Sequence, residues 1–202
     1  MLKKYFRKMN LNLMGGFTLI EMVIAIGLFA VLATVGIGGF VHALRTERQA
    51  ATLIGVNTNI ALVLEQMTRE IRTSIDFCEN LDPTNPTNPC STTERICFHS
   101  ARDKVVYYRL QNQEYILRGE ADFDPFGSTS CADAASNMQK ITSDDVRVNN
   151  LDFLIVGNEK GDGFMPRITI TLEASPRSGE LQNFRTAVQT TVSARAAGGD
   201  LP

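Results

Sequence analysis

The hydrophobic pattern changes character partway along the chain, and the change marks out its first elements. No charged residue occurs from Met22 to Leu44. At about 1.5 Å of rise per residue, a helix over that stretch covers the roughly 30 Å hydrocarbon core of a bilayer. Beyond Leu44 the pattern becomes amphipathic. Leu53, Val56, Ile60, Val63, Met67, Ile71 and Ile75 recur at steps of three and four, which places one apolar stripe on a continuing helix. Arg45, Arg48, Glu65, Arg69 and Arg72 occupy the other face, as a solvated or subunit-facing surface requires. The periodicity predicts a single helix from Phe17 to about Ile75, several times the usual globular length of about 11–12 residues. The stripe on its second half needs a sheet to cover it.

The period then shortens. Asp82-Pro83-Thr84-Asn85-Pro86-Thr87-Asn88-Pro89 cannot continue a helix and reads as a loop. Arg95 to Ser100, Lys104 to Leu110 and Glu114 to Arg118 follow as short strands of an antiparallel meander. Their tight links are Ala101-Arg102-Asp103 and Gln111-Asn112-Gln113. Residues Ala121 to Gln139 are polar, small and irregular, a solvated loop pinned by Cys131. Val146 to Val156 is the next strand, with an irregularity at Asn149-Asn150, and the turn Gly157 to Gly163 follows it. Ile168, Ile170 and Leu172 alternate with Thr169, Thr171 and Glu173, and Phe184, Thr186, Val188, Thr190 and Val192 alternate in the same way. These two strands pair antiparallel across the loop Ser175 to Glu180, and the tail from Ala196 to Pro202 has little to hold it. The fold class is α+β: one long N-terminal helix packed on an antiparallel β-sheet.

Charge adds topology to this pattern. Lys3, Lys4, Arg7 and Lys8 precede the apolar run and belong on the cytoplasmic side, which directs the rest of the chain outward through one span. The organisation is a basic leader at residues 1–16, a membrane half-helix at 17–44 and a soluble domain at 45–202. Glu21 stands at the start of the otherwise apolar segment. A carboxylate there costs up to about 2.5–3.5 kcal/mol if placed centrally in lipid, so it calls for a partner.

Gly15-Gly16-Phe17-Thr18-Leu19-Ile20-Glu21 after a short basic leader resembles the processing signal of type IV prepilins and of type II secretion pseudopilins. The resemblance implies a membrane-embedded prepilin peptidase that cuts after Gly16 and methylates the new amino terminus at Phe17. The apolar helix is then retained, unlike that of an ordinary secretory signal. It also implies that Glu21 attracts the free α-amino group of a neighbouring subunit, so that a charge costly in lipid gains its partner on assembly. The implied partners are other pilins or pseudopilins and an inner-membrane assembly platform. The implied location is the inner membrane, then a pilus or pseudopilus.

The segment Leu62 to Arg72, with the two late strands, resembles the minor pilins more than the abundant major pilin. The expected role is a structural minor pilin that enters or primes a type IV pilus. A type II secretion pseudopilin is the alternative, since both use the same signal and architecture, and a membrane-anchored extracytoplasmic binding module is a second one. Gly27, Gly36, Gly38 and Gly39 interrupt the apolar helix, and the resemblance suggests a segment that partly unwinds in a filament. Close helix packing in the membrane explains them equally well.

Without the leader the chain carries 16 basic and 22 acidic residues, a net charge of −6. With no basic cluster beyond the leader, direct nucleic-acid binding is not expected. Cys78, Cys90, Cys97 and Cys131 all follow the anchor, so their even number reads as disulfides. Of three possible connectivities, Cys78–Cys90 with Cys97–Cys131 is favoured, because the first closes the proline-rich loop and the second ties a strand to a later loop; free thiols are the alternative.

No phosphate loop, H-E-x-x-H or G-x-S-x-G occurs, and His42 and His99 are the only histidines, so no enzyme is expected. Asp122-Phe123-Asp124-Pro125-Phe126-Gly127 begins like a calcium loop. Phe126 occupies a ligand position, however, and the closing Glu is missing. Glu159 and Asp162 could offer oxygens from one turn, but solvated acidic turns are commoner, so no metal or other cofactor is assigned.

Overall fold

The structure is a computed structural model that describes residues 16–77, 94–123, 131–157 and 164–195. The chain divides between Glu47 and Arg48 into two compact units. One helix, α1 (Leu19–Arg72), runs from the first into the second. It starts two residues later than the periodicity predicts, because Thr18 caps it: the Glu21 amide donates to Thr18 Oγ1 at 3.3 Å and the Met22 amide to the Thr18 carbonyl at 3.2 Å.

The helix also ends three residues short of Ile75. Thr73 and Ser74 turn their amides and hydroxyls back onto the carbonyls of Glu70 and Ile71, which closes the last turn. Asp76 then takes a left-handed backbone. This frees Ile75 to form an antiparallel bridge to His99, with amide-to-carbonyl distances of 2.8 and 3.0 Å.

In the second unit the apolar stripe is buried as its spacing requires. Val56, Ile60, Val63, Met67 and Ile71 are inside, joined by Leu64. Burying each such side chain is worth roughly 1.5–3 kcal/mol. Two antiparallel sheets, rather than the single one expected, cover the stripe. The first has the order β1 (Arg95–Ser100), β2 (Lys104–Gln111), β3 (Tyr115–Asp122) and β4 (Met138–Lys140). The second has the order β5 (Val146–Val156), β6 (Arg167–Pro176) and β7 (Thr186–Ser193).

The sheets separate because the backbone leaves β4 for β5 without continuing the ladder. They meet again through the Val148 amide, which bonds the Glu114 carbonyl at 2.9 Å, and their inner faces share one core. A bulge between Val148 and Asn150 sits at the predicted irregularity and bends β5 at this junction. Strand β6 shows the expected alternation: Ile168, Ile170 and Leu172 point inward, and Thr169, Thr171 and Glu173 point outward.

The stretch 121–139 departs most from expectation. Strand β3 runs on to Asp122, a short helix α2 (Cys131–Ser136) follows, and β4 returns beside β3. Helix α2 lies over the first sheet on the face away from α1. It buries Ala134 and Cys131 against Cys97, Val105 and Tyr107. Strand β2 therefore lacks polar alternation in Val105-Val106-Tyr107-Tyr108 because both of its faces are covered. A Cβ at Gly119 would lie 1.9 Å from the Ala134 carbonyl oxygen, so glycine allows α2 its close approach. Cys97 and Cys131 are joined by a disulfide across a separation of 34 residues. Cys78 and Cys90, with the other pairing expected for them, lie outside the described residues.

Candidate processing and assembly site

The N-terminal site is built from Gly16, Phe17, Thr18 and Glu21. Gly16 and Phe17 precede the helix and are exposed, Phe17 at 78%. A side chain at Gly16 would meet nothing within 4 Å, so nothing among the described residues demands glycine there. Thr18 and Glu21 stand at the cap and third helical position, the spacing of a capping box. Glu21 suits that place on local grounds, since an acid in the first turn complements the helix dipole. Among the described residues no group within the chain bonds its carboxylate, which leaves it available.

The helix beyond Glu21 contains a stretch long and apolar enough to cross a membrane, none of it buried. Leu19, Ile24, Leu28, Leu32, Val35 and Phe40 are each more than half exposed. The backbone stays helical through Gly27, Gly36, Gly38 and Gly39, where an added Cβ would meet only open space.

A second polar constellation lies between α1 and the first sheet, and the sequence did not reveal it. Glu70 accepts from Tyr108 Oη at 2.6 Å and from Arg118, whose Nη2 is 3.0 Å from Glu70 Oε1. Arg118 Nη1 also reaches Glu120 at 2.8 Å, and Lys104 Nζ holds the other Glu120 oxygen at 2.8 Å. Burial, then the Glu70 carboxylate, hold the Tyr108 phenol well above its ordinary range. Hydrogen bonds from Lys104 and Arg118 pull Glu120 below the usual carboxylate range. Glu120 in turn raises Lys104.

Glu70, Lys104, Arg118 and Glu120 line one side of a groove of about 710 Å³ with Leu62, Arg69 and Arg102. Each charge in the network already has a partner, and the groove is lined by no histidine or cysteine, its hydroxyl groups being those of Thr73 and Ser100. It therefore acts as an ionic clamp of α1 to the sheet. The signal was faint: Glu70 directly precedes the buried Ile71, at the border of the apolar stripe.

The remaining candidates are dispersed. His99 lies in β1 and stacks on Phe123 with ring centroids 4.1 Å apart; its Nε2 is 3.9 Å from Asp103 Oδ1. His42 is exposed on α1. Asp122 lies 3.7 Å from Lys104. Asp124 to Gly127, Glu159 and Asp162 fall outside the described residues. Among the described residues, no three His, Cys, Asp or Glu side chains are grouped to hold a metal ion.

Comparison with known families matches residues 12–37 to the prokaryotic N-terminal methylation motif. No curated protein and no solved structure matches the chain. The matched residues contain Gly16, Phe17 and Glu21 and the start of the exposed apolar helix. In this motif and in its long apolar N-terminal helix, the chain is type IV prepilin-like. Proteins of that kind are structural subunits, processed by prepilin peptidase and assembled with other pilins. Among the described residues, one helix is long and apolar enough to cross a membrane, the feature that a single-pass anchor requires.

Proposed function

We propose that the chain is a minor pilin that enters or primes a type IV pilus. Prepilin peptidase removes residues 1–16 and methylates Phe17. The half-helix from Phe17 to Leu44 then stays in the inner membrane, with residues 45–202 outside the cytoplasm. The carrying observation is Glu21: an acid whose carboxylate finds no partner among the described residues, at the head of the exposed, uncharged stretch Met22 to Leu44 and inside a methylation motif. In lipid that carboxylate is costly, and the methylated amine of an adjacent subunit offsets the cost only inside a filament. Glu21 thus sets the register of insertion, and the long helix supplies the filament core.

Intact mass and amino-terminal sequencing, with and without a prepilin peptidase, test this reading on the wild type, Gly16→Ala and Glu21→Ala. The expected result is a peptidase-dependent start at methylated Phe17 in the wild type. Glu21→Ala should still be cut but be missing from sheared pili. An uncut chain, or cleavage beyond Leu44, overturns it. Wild type found in a type II secretion filament instead of a pilus identifies a pseudopilin.

A further inference from the structure

The two sheets present four edges, and three of them are blunted. Strand β1 gives its His99 amide and carbonyl to Ile75. Strand β4 is only Met138–Lys140. Strand β5 carries a bulge and sends its Val148 amide to Glu114. Strand β7 itself has none of these devices, although just past its end the Arg195 amide, on the outward side, is taken by the Arg72 carbonyl at 2.9 Å. Thr186–Ser193 is uncharged, contains no proline or bulge, is rich in threonine and valine, and ends the order β5-β6-β7. Edges of that kind are templates for another strand, which natural proteins normally guard.

The open hydrogen bonds can be assigned. The Ala194 amide bonds the Pro166 carbonyl of the neighbouring chain segment at 2.9 Å. In an antiparallel ladder, both backbone groups of every second residue then face the same way. Thr186, Val188, Thr190 and Val192 therefore turn toward β6, and Ala187, Gln189, Thr191 and Ser193 turn outward. The 3.0 Å contact between the Thr169 and Thr191 hydroxyls fits, since side chains approach most closely at non-hydrogen-bonded pairs. The edge thus holds four N–H donors and four carbonyl acceptors, and no backbone partner for them occurs among the described residues.

We propose that β7 is a docking strand for an extended segment of a neighbouring, different pilin-type subunit, which adds to the second sheet by backbone pairing; this rests on the filament reading above. A second copy of β7 fits poorly. Arg185, held by Glu173, precedes the strand and Arg195 follows it. Antiparallel self-pairing over the full strand sets Arg185 opposite or diagonal to the other copy's Arg195, and like charges so placed are destabilising. The fitting partner offers about eight residues without lysine or arginine, which recognition by strand addition permits in many sequences.

Sheared filaments from cells expressing the full-length chain with its companion subunits, compared with the detergent-solubilised chain, provide the test. Site-resolved amide exchange should show Ala187, Gln189, Thr191 and Ser193 slowed about tenfold or more in the filament, with Val188, Thr190 and Val192 as internal references. Gln189→Pro removes an outward donor without breaking the β6 ladder, a position where an edge strand tolerates proline. It should be processed and inserted as wild type, yet enter filaments several-fold less than Gln189→Ala. Wild type in filaments with those four amides still exchanging freely overturns the docking proposal, whatever the proline variant does. Wild type absent from filaments overturns the filament reading itself.

Discussion

The Tyr108 hydroxyl donates to a Glu70 carboxylate oxygen at 2.6 Å, which fastens the last turn of α1 to the second strand of the first sheet. Tyr108 is fully buried, and Arg118 meets the same carboxylate from β3, so one acid organises three elements. Tyr108→Phe should cost about 1.5–3 kcal/mol, the range for a hydrogen bond to a charged group. Glu70→Ala also deprives Arg118 of its inner partner. Because Arg118 keeps Glu120, the expected loss is about 2–3 kcal/mol, below the range for a wholly orphaned buried ion. Urea unfolding of both variants measures the two costs, and a Glu70→Ala change within 0.5 kcal/mol of wild type would refute the clamp.

The same network makes stability depend on pH at both ends. Tyr108 has its folded value raised above the ordinary one near 10, so its contribution is intact below that pH. It is lost as the pH rises further, when the unfolded chain ionises and the folded chain does not. Glu120 has its folded value lowered, so its contribution is present above about pH 4.3 and disappears as the pH falls through the lowered value. Melting temperature against pH should decline in both directions. In Tyr108→Phe the alkaline decline should be shallower.

Gly119→Ala tests the approach of α2. The new methyl group would enter the Ala134 carbonyl, a backbone atom that cannot rotate away. A cost of about 1–3 kcal/mol or more is expected, as for other overpacked sites. Hydrogen exchange should rise in α2 before it rises in β6. An alanine variant as stable as wild type would mean that α2 shifts at no cost.

Reducing the Cys97–Cys131 disulfide, or replacing both cysteines by alanine, opens a loop of 34 residues. Chain entropy assigns about 3–4 kcal/mol to closing a loop of that size. Denaturant unfolding with and without reductant should show a loss of that order. Exposure of Tyr107, which packs beside the disulfide, should accompany it in the reduced protein.

Asn112 and Gln113 both hold positive φ in the turn between β2 and β3. A left-handed backbone costs a non-glycine residue about 1–2 kcal/mol, and asparagine tolerates it better than glutamine. After allowance for glycine's greater freedom when unfolded, Gln113→Gly should raise stability by about 0.5 kcal/mol. Gln113→Val should lower it, and melting temperatures of the two variants decide the sign.

Legibility from sequence followed the range of the physical cause. The buried positions from Val56 to Ile71 were readable because a helix repeats every 3.6 residues whatever surrounds it. The β6 alternation and the irregularity in β5 were readable for the same local reason. The Cys97–Cys131 pair coincides with the favoured connectivity, but four cysteines alone could not have decided it. The helix ends were misplaced by two or three residues, because capping by Thr18 and the turn at Thr73 and Ser74 override an apolar pattern that continues past them.

On its own, then, the sequence determined the long apolar helix with Glu21 at its head, the amphipathic half behind it, and most of the strands, since each follows from neighbouring residues. Only the tertiary structure decided that the strands form two sheets, that α2 covers the second face of the first sheet through Gly119, and that Glu70 meets Tyr108 and Arg118. It also decided that, among the described residues, β7 keeps an open edge. Those relations join residues 38 and 48 positions apart around Glu70, or concern a partner a strand lacks. No periodicity encodes such separations, because what brings the residues together is burial of a shared core.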